Sequence, residues 1–456
     1  MKSLRRFPAM LAFALVGCVA ASAAAQQDSP AGHWEGRVAL AGQDLNVLLD
    51  LDGKDADLHG TLSILESRLE AFSLPRVVVD AGELRFEVPA GWGLAMFAGL
   101  GLTPEEEVIT YRGRLATSEI AGELRLGKGI FPLVLRRGRA SVPYREEEVS
   151  FSNGEVRLAG TLLLPLTHGP YPVVVFTHGS GSTTRDAHRY EADLLARRGV
   201  ACLLYDKRGA GQSTGASWEW ASFDDLAGDA EQALNYVASR SDIDRRRIGL
   251  FGLSQGAWLI EIVAARSNKV AFLVVVAGGG IPAWQQELYY RANRMRDEGF
   301  DETDVKTAVD FMRARFEAAR TGLGWDRIDA TIKGFQENRV KWFPGFTGNQ
   351  NTMATARLWW LLAFSYDPAR DLKNIRVPVF GVFAEEDRVM PTQETIEGLK
   401  TGLVAAGNRR FAITIIPSAY HSMMVRQDLG AAPLRRVISQ VYATALVQWV
   451  TSQIAN

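Results

Sequence analysis

Short segments in which apolar and polar residues alternate occupy most of residues 31–139. In chain order these segments are HWEGRVAL, DLNVLLDL, LHGTLSI, LRFEVP, ITYRGRL, IAGELRL and FPLVLRR. Glycine, aspartate and asparagine separate them, and a period of two between turn residues is typical of half-buried strands. The pattern predicts a small all-β domain, a sandwich or barrel, which we place at residues 26–141.

After residue 142 the pattern changes to apolar strands that alternate with helical stretches. A hairpin is predicted around Ser152-Asn153-Gly154, and the apolar runs YPVVVFT, VACLLYD, RIGLFG and VAFLVVV follow it. Apolar strands joined by helices through short connections are typical of a parallel sheet covered on both faces. We therefore predict an α/β domain with a doubly wound, mostly parallel sheet at residues 142–456.

Long amphipathic stretches interrupt this alternation over residues 281–370. They carry an aromatic cluster that consists of Trp325, Trp342, Phe343, Phe346, Trp359 and Trp360. We expect a helical lid over the carboxyl edge of the sheet, with some of these rings lining an apolar pocket and others packing helices. Strand patterns return with VPVFGVFAEED and RFAITIIP, and a final helix is predicted over Leu434–Ile454.

The first 25 residues have the pattern of a targeting segment. A basic start (MKSLRR) precedes an apolar stretch, and three alanines that end at Ala25 form a cleavage site, as in secretory signal peptides. The segment LVGC, which ends at Cys18, also fits a bacterial lipobox, so the alternative is a lipid anchor at Cys18. Both interpretations predict an exported protein, periplasmic or secreted. Cleavage after Ala25 leaves only Cys202, which excludes an intramolecular disulfide.

The net charge and the motifs of the chain argue against several classes of binding partner. The net charge of −1 argues against an electrostatic nucleic-acid partner. The chain has no His-Glu-x-x-His motif and no cysteine pair for zinc. The glycines of YDKRGAGQS lack the spacing of a dinucleotide fingerprint. We expect no metal, no organic cofactor and a small-molecule substrate.

The pentapeptide Gly252-Leu253-Ser254-Gln255-Gly256 follows a predicted strand and precedes a predicted helix. A serine on such a sharp turn needs an unusual backbone conformation and very small residues two positions before and after it. The start of the helix also directs N–H groups to the place where negative charge develops. Ser254 is therefore the predicted nucleophile.

A serine hydroxyl needs a base, and the base needs a carboxylate that orients it. His421 is the only histidine after Ser254, and it lies in IIPSAYHSMM, just after the last predicted strand. Asp387 follows the preceding strand and is the predicted acid, with Glu386 as the reserve. The order Ser254, Asp387, His421 is the one expected for a serine on a strand-to-helix turn.

Two backbone N–H groups are expected to bind the negatively charged oxygen that forms during acyl transfer. Gln255 supplies one as the residue after the nucleophile. Ser180 is predicted to supply the other, from the turn HGSG, where Gly179 and Gly181 let the backbone approach a substrate carbonyl closely. His178 in this turn is predicted to be a structural hydrogen-bonding residue and not a second base.

Taken together, these motifs resemble those of the α/β-hydrolase superfamily, in particular exported bacterial esterase- or peptidase-like members. VVVFTHGSG, YDKRGAGQS, GLSQGAW, EEDRVMP and YHSM carry the resemblance within residues 142–456. The β-rich segment resembles the accessory domain that precedes some of these hydrolases. The chain departs from the family pattern at Ala257 and Ala384, where glycine is common. The resemblance implies a Ser-His-Asp triad and an oxyanion hole, with Asp206 and Arg208 holding the loop beside the site.

We therefore expect an exported serine hydrolase that cleaves carboxylic esters through an acyl-enzyme and acts on a small ester or a short peptide. One alternative is a peptidase of the prolyl-oligopeptidase-like or proline-aminopeptidase-like kind. It would need acids in the lid to hold a substrate amino group, and the available ones are Glu298, Asp301, Glu302 and Asp304. The other alternative is a catalytically silent binding protein on the same scaffold, which would use the β domain for cell-wall or glycan contact.

Overall fold

The computed structural model describes residues 29–40, 43–54, 57–64, 66, 69–88, 108–126, 129–138, 143–346, 352–429 and 432–455. The predicted signal peptide, the alternative lipid anchor at Cys18 and the predicted limits of the all-β domain, residues 26 and 141, lie outside these ranges. Within them, no helix combines the length and the apolar character that a membrane crossing requires.

The predicted all-β domain is confirmed as one antiparallel sheet. Its described strands are β1 (Gly32–Leu40), β2 (Gln43–Asp52), β3 (His59–Ile64), β4 (Leu69–Ser73), β5 (Val77–Asp80), β6 (Glu83–Val88), β7 (Ile109–Leu115), β8 (Glu119–Leu126) and β9 (Gly129–Arg137). Their order is β4-β3-β2-β1-β9-β8-β7-β6-β5. Alternate residues from across the sheet, among them Trp34, Leu62 and Leu124, are buried in one shared core. The sheet therefore curls around that core as an open half-barrel.

The predicted α/β sheet is also confirmed. Its described strands are β10 (Tyr144–Asn153), β11 (Val156–Pro165), β12 (Tyr171–Thr177), β13 (Ala201–Tyr205), β14 (Ile243–Leu253), β15 (Phe272–Val276), β16 (Val379–Ala384) and β17 (Phe411–Ile416). Their order is β10-β11-β13-β12-β14-β15-β16-β17, and all pairs from β13 to β17 are parallel. The predicted hairpin joins β10 to β11.

Helices cover both faces of this sheet. In the described residues they are α1 (Arg189–Ala196), α2 (Phe223–Ser239), α3 (Gln255–Arg266), α4 (Ala283–Asp297), α5 (Glu302–Thr321), α6 (Trp325–Glu337), α7 (Phe343–Phe346), α8 (Met353–Trp359), α9 (Ala369–Leu372), α10 (Thr392–Ala405) and α11 (Gln440–Ile454). Apolar residues of α2, α3 and α10 belong to the core of one face, and those of α1 and α11 to the core of the other. This two-sided cover makes the sheet doubly wound.

Helices α4–α8 lie between β15 and β16 and form a cap, whereas the short α9 packs against α3 and α10, which cover the sheet. Several predicted aromatic residues pack inside the cap, because Trp342, Phe343 and Trp360 are buried in the cap's own core. Trp359 is half-buried instead, and its ring lies 6.0 Å from that of Trp220 on the loop before α2. The buried rings therefore hold the cap helices to one another, and the side chain of Phe346 lies outside the described residues.

The prediction of a final helix over Leu434–Ile454 is wrong in its first turn. The chain forms a hairpin of β18 (Met424–Leu429) and β19 (Ala432–Ile438) before α11 begins at Gln440. The β-branched pair Val437 and Ile438 favours a strand, and the Ser439 hydroxyl then caps the helix by accepting the N–H of Tyr442.

This hairpin connects the two domains. Val437 of β19 is fully buried in the core of the N-terminal sheet, and Val425 of β18 packs between that core and the α1–α11 face of the hydrolase sheet. Strand β19 also lies against β9. The segment that follows His421 therefore rests on the all-β domain.

Candidate active site

Ser254 occupies the turn between β14 and α3 with φ of 56° and ψ of −118°. A residue with a Cβ atom rarely adopts a positive φ, and such strain persists only where the surroundings impose it. Its N–H donates to the carbonyl of Val276 on β15 at 2.9 Å, and its own carbonyl accepts the N–H of Ala257 at 2.9 Å. The neighbouring strand and the first turn of α3 thus fix the strained conformation.

Close backbone contacts explain the two glycines of the pentapeptide. A Cβ atom at position 252 would overlap the carbonyl group of Gly256, and one at position 256 would overlap the carbonyl oxygen of Thr177. Ala257, where the chain departs from the family pattern, is a fully buried helix residue that fits its site. The sequence around Ser254 is therefore the one that this sharp turn allows.

His421 and Asp387 lie on the loops that follow the adjacent parallel strands β17 and β16. The Nδ1 atom of His421 is 2.8 Å from Oδ2 of Asp387, whose side chain is 1% exposed. The other carboxylate oxygen, Oδ1, accepts the backbone N–H groups of Val389 and Met390, both at 2.8 Å. Because Nδ1–H donates to this carboxylate, Nε2 is the nitrogen left to accept a proton.

The reserve acid, Glu386, does not take this place. Glu385 and Glu386 are exposed, and the carboxylate of Glu385 accepts the backbone N–H of Ser418 at 2.8 Å. The structure therefore brings Asp387, and neither neighbouring glutamate, to His421.

Ser254, Asp387 and His421 all follow strands at one edge of the sheet. Strands β14, β16 and β17 run parallel, so their carboxyl ends point to the same side. Among the described residues, the His421–Asp387 hydrogen bond is formed, but none joins the Ser254 hydroxyl to His421. Without substrate, the contact between a nucleophile and its base is often long and shortens when substrate binds.

The two predicted oxyanion donors belong to segments that flank Ser254. Gln255 is the first residue of α3 and is buried. The turn that contains Ser180 also lies close to Ser254, because a Cβ atom on Gly179 would lie 3.4 Å from the Cβ atom of Ser254. A substrate carbonyl above Ser254 would meet backbone from both segments.

A buried lysine connects these segments, and the sequence reasoning missed it. The Nζ atom of Lys207 donates to the carbonyl oxygen of Gly179 and to Oε1 of Gln255, both at 2.7 Å. It also lies 4.7 Å from the centroid of the Trp218 ring, and the residue is 3% exposed. Burial lowers the pKa of Lys207 to about 7, although Asp229 opposes the change. The only signal in the sequence is a lysine two positions after an apolar strand.

The loop that carries Lys207 is held by two ion pairs. Asp206 binds Arg185, with an N–O distance of 2.8 Å, and Arg208 binds Asp229 at 2.6 Å. The carboxylate of Asp206 also accepts the backbone N–H of Gln212 at 2.9 Å. Asp206 and Arg208 therefore tie down this loop, as the resemblance implies.

His178 is placed as a structural residue. It is buried, and its Nε2–H donates to the carbonyl oxygen of Tyr205 at the end of β13. Burial is the main reason that the pKa of His178 falls to about 3, with smaller effects from the nearby His188 and Lys207. The imidazole is thus neutral at ordinary pH and links the turn after β12 to β13.

The cap supports the loop of the acid. On α4, the hydroxyl of Tyr289 donates to the carbonyl oxygen of Asp387 at 2.8 Å, and the amide of Gln286 donates to that of Val389 at 2.9 Å. An open cavity of about 520 Å³ lies between α4, α5 and the start of α10, and neither Ser254 nor His421 lines it. In the ranges that the structure covers, no three His, Cys, Asp or Glu side chains are grouped to hold a metal ion.

The curated proteins that this chain resembles include enzymes named as a thioesterase and an esterase. The mitochondrial acyl-coenzyme A thioesterase 2 of Homo sapiens is 26% identical over 306 residues, which cover 62% of this chain and 58% of that protein. The esterase FrsA of Vibrio cholerae is 34% identical over 125 residues, which cover 27% of this chain and 29% of that protein. The chain thus spans less than two thirds of the length of these relatives.

A solved structure and a family profile also match part of the chain. An esterase structure from Pyrococcus furiosus is 14% identical, with a TM-score of 0.44, over 70% of this chain and 94% of that one. The sequence profile described as the alpha/beta hydrolase family matches residues 174–432, which is more than half of the chain. This chain belongs to the alpha/beta hydrolase family.

Proposed function

We propose that this protein is a serine hydrolase that cleaves carboxylic esters through an acyl-enzyme. Ser254 is the nucleophile, His421 the general base, and Asp387 the acid that orients His421. The observation that carries the proposal is the strained Ser254 turn at the same sheet edge as His421 and its hydrogen-bonded, buried partner Asp387. The relatives named as an esterase and a thioesterase support acyl transfer as the class of reaction.

In the proposed acylation step, Oγ of Ser254 attacks the ester carbonyl carbon while Nε2 of His421 takes the hydroxyl proton. Asp387 stabilises the resulting imidazolium through its hydrogen bond to Nδ1. The backbone N–H groups of Ser180 and Gln255 donate to the tetrahedral oxyanion. When the tetrahedral intermediate collapses, the carbon–oxygen bond to the alcohol breaks, and His421 gives its proton to the leaving alkoxide.

Deacylation repeats these steps with water. His421 removes a proton from a water molecule, whose oxygen attacks the acyl carbon, and the same two N–H groups stabilise the second oxyanion. The bond to Oγ then breaks, His421 returns the proton to Ser254, and the carboxylic acid leaves. In the proposed cycle, substrate and water react with groups of this chain alone.

The proposal includes export. The basic and apolar residues 1–25 have the pattern of a secretory signal peptide, so we place the enzyme in the periplasm or outside the cell. The alternative of a lipid anchor at Cys18 predicts the same compartment. A fusion of residues 1–25 to a reporter enzyme, followed by cell fractionation, separates export from retention, and a Cys18→Ser variant separates anchoring from cleavage.

The peptidase alternative receives less support from the cap. Its four candidate acids each have a partner within the cap: Glu298 pairs with Arg294, Glu302 pairs with Arg296, Asp301 caps α5, and Asp304 accepts the N–H of the Trp342 ring. Recognition of a substrate ammonium would have to replace these contacts. Ester hydrolysis needs no such replacement.

A fluorophosphonate probe tests the proposal, because it labels serines that a base activates. We expect the wild type and Ser182→Ala, a control at an exposed serine of the neighbouring loop, to react, and Ser254→Ala to remain unlabelled. Failure of the wild type to label would support the silent binding protein, and labelling that survives Ser254→Ala would rule out Ser254 as the nucleophile.

A panel of substrates tests which kind of bond the enzyme cleaves. We expect p-nitrophenyl acyl esters to be cleaved faster than aminoacyl anilides, with acyl-coenzyme A as the thioester comparison. Faster cleavage of the anilides would favour the peptidase alternative.

A further inference from the structure

A single buried ammonium group binds both segments that carry the proposed oxyanion donors. We infer that Lys207 is a positioning residue that holds the backbone N–H groups of Ser180 and Gln255 in the orientation needed to bind the oxyanion. The inference rests on the proposed function, because it assigns a role to Lys207 within that site.

The first contact acts through one peptide group. Lys207 Nζ lies 2.7 Å from the carbonyl oxygen of Gly179, and the N–H of Ser180 belongs to the same peptide unit. This peptide is trans, since the only cis bond in the described residues is Gly169–Pro170. In a trans peptide, C=O and N–H point in opposite directions, so a donor that fixes the carbonyl also fixes the N–H. A hydrogen bond to the carbonyl further polarises the amide and strengthens its N–H as a donor.

The second contact acts on the start of α3. Lys207 Nζ is 2.7 Å from Oε1 of Gln255, whose own backbone N–H is the other proposed donor. The backbone of Gln255 is already constrained by the strained Ser254 turn, and the side-chain bond links it to the turn of Gly179. One ammonium group therefore sets the spacing between the two donor segments.

The surroundings of Lys207 argue against a purely structural role. The nitrogen of Lys207 faces the Trp218 ring, and none of the described carboxylates lies within 4.0 Å of it. The nearby Asp229 is paired with Arg208 instead. Burial of a lysine without an ion-pair partner is costly, and its two hydrogen bonds and the contact with the Trp218 ring offset that cost. The presence of a lysine at this buried position is explained if its two hydrogen bonds preorganise donors for a transition state.

Kinetics of Lys207→Met and Gln255→Met, alone and combined, test the inference with p-nitrophenyl acetate. Loss of one oxyanion donor typically lowers kcat by about 10²–10³-fold, so loss of its positioning should lower kcat by about 10- to 100-fold. We expect KM to change little, and the double variant to lose less than the product of the two single losses, because both remove one shared bond.

Inhibition by phenylboronic acid distinguishes the positioning role from a purely structural one, because a structural role would leave the inhibition constant unchanged. Its tetrahedral adduct with Ser254 places an oxygen in the oxyanion position, so its inhibition constant should rise in proportion to the loss in kcat/KM. Gln212→Met is the matched control from the same loop, since it makes a similar substitution at an exposed residue; we expect unchanged boronate affinity.

The outcomes separate the inference from the function on which it rests. A wild type that neither hydrolyses ester nor reacts with fluorophosphonate contradicts the proposed function. An active wild type with unchanged kcat in Lys207→Met, or with an increase in KM alone, overturns the inference. If Lys207→Met does not fold, the inference is tested with Gln255→Met alone. Boronate affinity equal to that of the wild type in this variant also overturns the inference.

Discussion

The carboxylate of Asp387 lies 2.8 Å from Nδ1 of His421 and is fixed on its other side by two backbone N–H groups. Asp387 is thus held by its own loop and does not depend on His421 for its orientation. A carboxylate anchored in this way presents a fixed acceptor to the imidazole, which selects the tautomer with a free Nε2.

Asp387→Asn should lower kcat by about 10⁴-fold, because an amide at this position favours the wrong tautomer of His421. Glu386→Gln is the matched control, since Glu386 is exposed and its change should alter the rate little. Steady-state ester hydrolysis measures both. A larger loss in the glutamate variant would transfer the acid role to Glu386.

His421→Ala should reduce turnover by several orders of magnitude while the melting temperature stays close to that of the wild type. The reason is that the imidazole is partly exposed and that Asp387 keeps its two backbone donors without it. Parallel measurement of activity and thermal unfolding checks this. A large drop in melting temperature would instead identify His421 as a packing residue.

The buried carboxyl of Glu261 is expected to make the free energy of unfolding depend on pH. It is fully buried on α3, and this burial raises its pKa well above the usual value; Asp371 adds to the rise, and the backbone of Gly280 opposes it. A carboxyl with a raised pKa in the folded state holds its proton there after the unfolded chain has lost it. The contribution of Glu261 to the free energy of unfolding is therefore constant below about pH 4.3 and falls as pH rises from there to the folded-state pKa.

Glu261→Gln should remove this fall, so the variant gains stability relative to the wild type as pH increases. Chemical denaturation at a series of pH values from 4 to 9 measures the difference. The exposed Glu397→Gln is the control and should follow the wild type at every pH. A constant difference between Glu261→Gln and the wild type would contradict the prediction.

Gly256→Ala should destabilise the fold by about 1–3 kcal/mol, because the added Cβ would overlap the carbonyl oxygen of Thr177. It should also lower ester hydrolysis, since the displaced backbone belongs to the turn of Ser254. Gly334→Ala on α6 is the opposite case: its Cβ would meet open space, and alanine in a helix is favourable by about 1 kcal/mol. Equal stability changes in the two variants would show that overlap at position 256 has no effect.

The local pattern of apolar and polar residues was enough to predict much of the fold and the main candidate residues. The buried strand before Ser254 and the helix after it can be read from neighbouring residues, and chain order then indicates Asp387 and His421. The hairpin of β18 and β19 could not be read in this way. Val437 and Ile438 favour a strand as β-branched residues, but they also continue the apolar pattern of the helix that follows, and pairing with Met424 and Val425 decides for the strand.

Lys207 shows a second limit of local pattern. Its neighbours in the sequence place it at the end of a strand, but its burial depends on Gly179 and Gln255, which are 28 and 48 positions away. No periodicity reports a hydrogen bond across such separations. Contacts of this kind appear only when the strands of the sheet are assembled.

The burial of Val437 in the half-barrel has a practical consequence for anyone who shortens this chain. A fragment starting near residue 142 would keep every residue of the proposed triad but would expose the apolar side of the hairpin that follows His421. Such a fragment is expected to aggregate or to lose the geometry of the histidine loop. The N-terminal half-barrel should therefore be retained in any minimal version of the enzyme.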